Sequence, residues 1–281
     1  MTESARPLLG LAAKIAETFG PDLPILDLYG PDGSRLYDKM MSNDRAEIAD
    51  FLEIAGRHRG TVLELAAGNG RTTLPFLEDG YTVTGLDASA DMLERLTDKL
   101  KQPQWSQYAG QLDTVHSDMS DFDLGRTFDL VVLGMGTVWM LDEEQRAGLF
   151  RSVRKHLNED GRFLLTLPEH PDLEDSDQAV EQRHAYVAHD GTAPAFCSLI
   201  EYFDPQQKLR LMSILAQRVE NGAVTRTVLY AHWNHLVSAT MLEKEIAQAG
   251  MRVIDRRDVQ ETRVTKAVDT NRHRWMFEVG I

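Results

Sequence analysis

A chain of 281 residues, 42% hydrophobic and 26% charged, is long enough for one substantial α/β core with additions or for two small domains. Its net charge of −14 argues against a nucleic-acid partner, whose phosphates need a basic face, and leaves room for a cationic ligand such as an amine. The single cysteine, Cys197, excludes an internal disulfide and fits a reducing cytosol, so a cytoplasmic location is expected.

The stretch from Met1 to Gly20 carries Leu8, Leu9, Leu11, Ile15 and Phe19, but Lys14 interrupts it and no small-residue cleavage pattern follows. It is too short and too polar to span a membrane or to serve as a signal peptide. Residues 1–55 are expected to form a largely helical N-terminal cap. Pro21, Pro24, Gly30, Pro31 and Gly33 divide it into a short amphipathic helix, a loop and a longer helix from about Asp44 to Ala55. Ile48, Phe51, Leu52 and Ala55 share one face of that last helix, the spacing of a helix packed on a sheet. Tyr29 and Tyr37 flank the glycine-rich loop.

The core, residues 56–168, is organised around VLELAAGNGRTTLPFLEDGYTVTGLD, Val62 to Asp87. The apolar run Val62 to Leu65, carrying Glu64, passes into the small-residue turn Ala66-Ala67-Gly68-Asn69-Gly70. Arg71 to Leu77 then reads as a helix whose amino-terminal NH groups face whatever ligand lies over the turn. A second strand, Tyr81 to Leu86, ends on Asp87, about twenty residues past the glycines, where the next strand of a βαβ unit sets an acid beside a ribose. Turn and acid together propose a nucleoside-type ligand at the carboxyl ends of parallel strands. Thr73 stands where a dinucleotide fingerprint begun at Gly68 would need glycine or alanine, and the Gly-Lys-Ser/Thr of a Walker loop is absent.

Further along, DASADMLERLTDKL reads as a helix with Met92, Leu93, Leu96 and Leu100 on one face. A short strand near Leu112 to Val115 leads into HSDMSDF, His116 to Phe122. Phe128 begins a fully buried central strand, FDLVVLG, with Gly134, Met135, Gly136, Thr137 and Trp139 at its carboxyl end. Asp142 caps a helix running to Leu157, which Gly161 stops. Arg162 to Leu167 forms a fifth strand that delivers Pro168, Glu169 and His170 to the same edge.

Residues 169–236 change character. Alternating segments around Ala185 to His189, Phe196 to Phe203, Leu209 to Val219 and Val224 to Leu236 are separated by turns at Asp190-Gly191, Asp204-Pro205 and Asn221-Gly222, an antiparallel sheet of about four strands. Its place in the chain suits a lid over the active site that sets substrate choice. Residues 237–281 return to the core pattern with a helix, Thr240 to Ala249, and strands Met251 to Gln260 and His273 to Val279. No ligand cluster of the CxxC or HExxH kind is visible, and His232 and His235 lie in strand context, so no metal is expected.

With Glu64 four residues before Gly68, and Gly70 closing the turn, the core resembles the E/DxGxGxG motif of class I S-adenosylmethionine-dependent methyltransferases. Ala66 replaces the first glycine, and because alanine tolerates positive φ poorly, φ at position 66 is expected to stay negative. The resemblance implies an α/β fold: a Rossmann-like seven-stranded class I methyltransferase fold with an inserted antiparallel β-sheet lid and an N-terminal helical extension. It implies S-adenosyl-L-methionine as cofactor and S-adenosyl-L-homocysteine as product. By the same resemblance Glu64, Ala66, Gly68, Asp87 and Gly134 line the cofactor, Ala88 and Met92 lie beside the adenosine, and Asp118 accepts a hydrogen bond from the adenine amino group. Met119 would lie against the ring, and Tyr37 would close over the cofactor's methionine end.

The runs LDLYGPDGSRLYDKM, VLELAAGNGRTTLP, FDLG, FDLVVLG and LDEEQRAGLF are similar to the methyltransferases encoded with daptide-type ribosomal peptides, over roughly Leu26 to Leu167. That likeness implies dimethylation of a primary amine at the carboxyl terminus of a modified peptide. Tyr29, Trp139, Glu201, Tyr202 and Trp233 are the candidate substrate contacts. His170 and His232, by their ordinary pKa, and Glu169 are the candidate bases. An N-, O- or C-methyltransferase of another small molecule, such as an amino sugar, and a non-catalytic cofactor-binding module remain as alternatives.

Overall fold

The computed structural model describes residues 6–41, 47–58, 60–169, 178–189, 194–259 and 273–281. In chain order the elements are α1 (Gly10–Phe19), β1 (Ile25–Asp27), α2 (Gly33–Met41), α3 (Ile48–Ala55), β2 (Thr61–Leu65), α4 (Thr73–Glu78), β3 (Thr82–Asp87) and α5 (Ala90–Leu100). They are followed by β4 (Leu112–His116), β5 (Phe128–Leu133), α6 (Glu143–His156), β6 (Leu157–Glu169), β7 (Val180–His189), β8 (Pro194–Asp204), β9 (Leu209–Glu220) and β10 (Ala223–His235). Last come α7 (Ala239–Gln248), β11 (Arg252–Asp258) and β12 (His273–Gly280).

These elements fall into two compact units. One holds α3 to β6 and α7 to β12, built on a seven-stranded sheet in the order β11-β12-β6-β5-β2-β3-β4. β2 to β6 run parallel, β12 lies antiparallel to β6, and β11 antiparallel to β12. The chain moves outward from β2 through β3 to β4 and then returns to β5 on the other side of β2. The order therefore reverses beside β2, and in open α/β sheets such a switch point opens a crevice at the carboxyl ends of the strands.

The central strands are apolar runs because helices cover both of their faces. Val62, Leu63, Leu130, Val131, Val132 and Leu133 are all fully buried. Phe51, Ile54 and Ala55 of α3 join the same core, so this helix packs with the sheet, while α1, β1 and α2 belong to the other unit. Asp142 caps α6 in a reciprocal box with Gln145. Arg146 of α6 makes a two-pronged ion pair with Glu245 of α7, both contacts at 2.7 Å, tying the two helices.

The other unit is a five-stranded sheet in the order β1-β10-β9-β8-β7. Neighbours among β7 to β10 are antiparallel, and β1 runs parallel to β10. Asn221 and Gly222 close the β9–β10 hairpin at φ of 52° and 78°, as a two-residue turn matched to strand twist demands. One face carries α1, with Ala12 against Leu211 and Trp233. On the other, Leu28, Tyr29, Leu36, Tyr37 and Met40 pack on Cys197, Met212, Ile214 and Tyr230.

The stretch read from sequence as a glycine-rich loop holds α2 and β1. A Cβ at Gly33 would lie 2.4 Å from the Leu28 carbonyl oxygen, so glycine here permits a tight entry into a helix.

Candidate active site

The carboxyl end of β2 turns through three left-handed residues, Ala66, Gly68 and Gly70, with φ of 52°, 55° and 92°. The expectation of a negative φ at Ala66 is therefore corrected. The Ala67 amide is fixed to the Leu86 carbonyl oxygen of β3 at 3.0 Å and the Gly70 amide to the Ala67 carbonyl oxygen at 3.0 Å, and that tight path carries Ala66 into the left-handed region. A Cβ at Gly70 would meet Leu96 Cδ1 at 2.4 Å, so the close approach of α5 excludes a side chain there. Above Gly68 a Cβ would have only the Ala66 oxygen, at 4.0 Å, within reach among the described residues. The turn is thus packed beneath Gly70 and open at Gly68.

Two carboxyl groups shape this turn. Glu64 is buried in β2 and accepts a hydrogen bond from the Thr73 hydroxyl at the start of α4. Burial pushes its carboxyl up to about 8, against the lowering effect of the Thr73 bond and the Arg71 charge. Asp87, at the end of β3, accepts from the Gly68 amide through Oδ2 at 2.8 Å and from the Ser89 amide through Oδ1 at 2.8 Å. Burial raises its pKa, and the two amide bonds oppose the rise. Each carboxylate oxygen has two lone pairs, so both retain the capacity to accept from a ligand hydroxyl.

Next to Asp87, the exposed Ala88 offers its carbonyl oxygen to His116 Nε2 at 2.9 Å, and Ser89 caps α5, bringing half-buried Met92 one turn above. β4 ends beside β3, with Asp87 and His116 in register. Beyond it Asp118 is exposed and engages both the amide and the hydroxyl of Ser120 through Oδ1, at 2.7 and 2.8 Å. Both bonds fall on Oδ1, leaving the Oδ2 lone pairs to accept from a ligand. Met119 is half-buried alongside. Glycine turn, acid and Asx turn thus lie at the carboxyl ends of three adjacent strands.

At the end of β5 lies a network with no local signal in the sequence. Glu47 is buried and pairs with Arg71 of the glycine turn. Its carboxylate accepts from the Met135 amide at 2.8 and 3.1 Å and from the Thr166 hydroxyl of β6 at 2.6 Å. A Cβ at Gly134 would strike Glu47 Oε1 at 2.6 Å, which explains glycine there. Met135 and Gly136 are left-handed, and buried Trp139 follows in the same turn.

The remaining candidates are distributed as follows. Glu169 accepts from the Ala239 amide at 3.0 Å and from Trp275 Nε1, so both of its oxygens hold structural bonds. His170 lies outside the described residues. In the smaller unit, His232 Nδ1 is 3.1 Å from Asp27 Oδ1. Its ring meets Tyr29 edge-on at 4.7 Å between centroids, and Tyr29 meets Tyr37 at 5.2 Å. Burial drives the Tyr29 hydroxyl pKa well above its ordinary value.

Glu201 is buried and paired with Arg210, whose Nε lies 3.0 Å away. Tyr202 and Trp233 lie on the opposite face, packed with α1. Alternation along β8 and β10 thus separates Glu201 and His232 from Tyr202 and Trp233. Asp27, the partner of His232, was not anticipated, since its role depends on β1 pairing with β10.

Among the described residues no cluster of potential metal ligands occurs, and no helix is long and apolar enough to cross a membrane.

Residues 62–161 match the family model described as Methyltransferase domain, and the fold around them is that of S-adenosylmethionine-dependent methyltransferases. The chain is similar to a cypemycin N-terminal methyltransferase from Streptomyces sp, 29% identical over 106 residues, which are 37% of this chain and 40% of that protein. Matches to the curated relatives span from 40% to 61% of their lengths.

Among solved structures, the glycopeptide N-methyltransferase MtfA complexed with S-adenosyl-L-methionine is 26% identical at a TM-score of 0.58, over 84% of this chain and 93% of that chain. The CcbJ methyltransferase from Streptomyces caelestis, 18% identical over 91% of this chain and 99% of that chain, shares the fold at a TM-score of 0.70. MtfA has also been solved with sinefungin and with S-adenosyl-L-homocysteine.

Proposed function

We propose that the protein is an N-methyltransferase that dimethylates a primary amine at the carboxyl terminus of a modified, daptide-type ribosomal peptide. The observation that carries the cofactor half of this reading is the bond from the Gly68 amide to Asp87, which holds a carboxylate beside an open glycine. The likeness to a cypemycin N-terminal methyltransferase and to a glycopeptide N-methyltransferase supports the peptide-amine half.

In this assignment the free lone pairs of Asp87 accept from the ribose hydroxyls, and Asp118 Oδ2 accepts from the adenine amino group. Met92, Met119 and Ala88 flank the heterocycle, with polarizable sulfur suited to a flat ring. Ala66 and Gly68 let the backbone approach the cofactor closely, Glu64 anchors the start of α4 behind the turn, and Gly134 makes room for the Glu47 carboxylate. Once bound, the cofactor supplies an electrophilic methyl group on a sulfonium. What remains for the protein is to align the nucleophile in line, which alone removes several kcal/mol of barrier.

The amine must be neutral, because a protonated nitrogen has no lone pair. His170 and His232 are assigned as proton acceptors, since imidazole changes charge near neutrality.

The test is methyl transfer from labelled S-adenosyl-L-methionine to a synthetic peptide ending in a primary amine, followed by mass spectrometry. Successive mono- and dimethylated products are expected. Cofactor binding with no product from the amine peptide would end the substrate assignment. Near-normal turnover in both His170→Ala and His232→Ala would remove the proton-acceptor role.

A further inference from the structure

On one face of the antiparallel sheet, His232 Nε2 and Asn234 Nδ2 are buried without a hydrogen-bond partner among the described residues. The His232 side chain is 9% exposed and Asn234 only 2%. Leaving a buried donor or acceptor unmet costs on the order of 1–3 kcal/mol, so two on one strand ask for a ligand that satisfies both.

The two side chains point the same way. Along β10 alternate residues share a face, and the register is continuous here, pairing His232 with Met212 and Asn234 with Arg210. Residues two apart on a strand are separated by roughly 6.5 Å, a span that one small molecule crosses with a single polar group at each end.

The chemistry of each atom follows from its neighbours. The Asp27 carboxylate, whose pKa the His232 bond lowers, is an acceptor only. Nδ1 therefore carries a proton, and in the neutral imidazole Nε2 presents a lone pair. Tyr29, set edge-on at an interplanar angle of 83°, keeps the ring from turning. Asn234 Nδ2 presents N–H. Glu201 and Arg210, on the same face, neutralise each other and leave the pair to act as neutral polar groups.

We infer that His232 Nε2 and Asn234 Nδ2 form a recognition pair for a primary amine that carries a carbonyl oxygen within a few bonds, with Asp27 as the positioning residue that fixes the imidazole tautomer. The amine donates to His232 and the oxygen accepts from Asn234. A peptide that ends in an amine has both groups. This inference deepens the amine-methylation reading and rests on it for the identity of the natural substrate.

The experiment uses the whole chain with 15N-labelled histidine, the His232 signals being assigned by their loss in His232→Gln. N-acetylethylenediamine is titrated as the amine with a nearby carbonyl, and pentylamine as its carbonyl-free counterpart. The free protein should show His232 protonated on Nδ1, and Asp27→Ala should mix the two tautomers.

N-acetylethylenediamine should shift Nε2 saturably, and pentylamine should need about fivefold more, the worth of one hydrogen bond. Asn234→Ala should erase that preference. An Nε2-protonated ring, no saturable shift with either probe, or equal responses to both would each overturn the inference.

Calorimetry with S-adenosyl-L-methionine on the same samples separates the two readings. Its heat should be unchanged by Asp27→Ala and Asn234→Ala. Absent heat alongside an intact, carbonyl-dependent imidazole shift would sink the methyltransferase reading alone.

Discussion

The Gly68 amide donates to Asp87 Oδ2 at 2.8 Å, and this bond ties the turn after β2 to the end of β3. It links backbone conformation and ligand chemistry in one contact. The carboxylate that orders the glycine turn is also the one with lone pairs left for the ribose in the proposed assignment.

Asp87→Ala should therefore weaken S-adenosyl-L-methionine binding by about 100-fold, the equivalent of two hydrogen bonds to a charged group. Asp87→Asn keeps one acceptor for the Gly68 amide and should lose about tenfold. Isothermal titration calorimetry reads both. Unchanged affinity in the alanine variant would remove Asp87 from the cofactor site.

Ala66 occupies the left-handed region at φ of 52°, where a Cβ is strained by roughly 1–2 kcal/mol. Ala66→Gly relieves that strain but adds freedom to the unfolded chain. The net gain should be about 0.5–1 kcal/mol, seen as a higher urea midpoint at constant slope.

The Glu64 carboxyl titrates at 4.5 in the unfolded chain and at about 8 when folded. Between those values the native state holds one proton more than the unfolded state, so stability is lost as pH rises through this window. Glu64→Gln cannot titrate. Its stability relative to wild type should therefore increase with pH across the window, by up to about 1.4 kcal/mol per pH unit, and then level off. Parallel pH profiles for the two proteins in urea denaturation would show that Glu64 is not held protonated.

Glu47 pairs with Arg71 and also accepts from the Met135 amide and the Thr166 hydroxyl. Glu47→Ala should cost about 3–5 kcal/mol, since it removes the acceptor for buried donors as well as one charge of a buried pair. Adding Arg71→Ala should cost less than it does on its own, because the partner charge is already gone. Strict additivity in denaturant titrations would mean the pair is not coupled.

The parts of this fold legible in sequence are those set by local chemistry. An apolar run beside Ala-Ala-Gly-Asn-Gly can form little other than a buried strand and a tight turn, and Asp142 with Gln145 marks a helix start within four residues. Asn221-Gly222 likewise dictates its own hairpin through positive φ. The helix from Gly33 is not legible in sequence because two glycines and a proline signal a break there, and only packing of Leu36, Tyr37 and Met40 on the sheet reveals it.

What only tertiary structure decided is which distant groups meet. Glu47 finds Met135 and Thr166, 88 and 119 residues further on, and Asp27 finds His232, 205 residues away. No periodicity encodes such pairs. Periodicity says which face of an element is buried, while the partner of a buried charge depends on strand order and register, and these are settled by the whole chain together. The left-handed Ala66 belongs with them, since intrinsic preference opposes it and the bonds to β3 and around the turn enforce it.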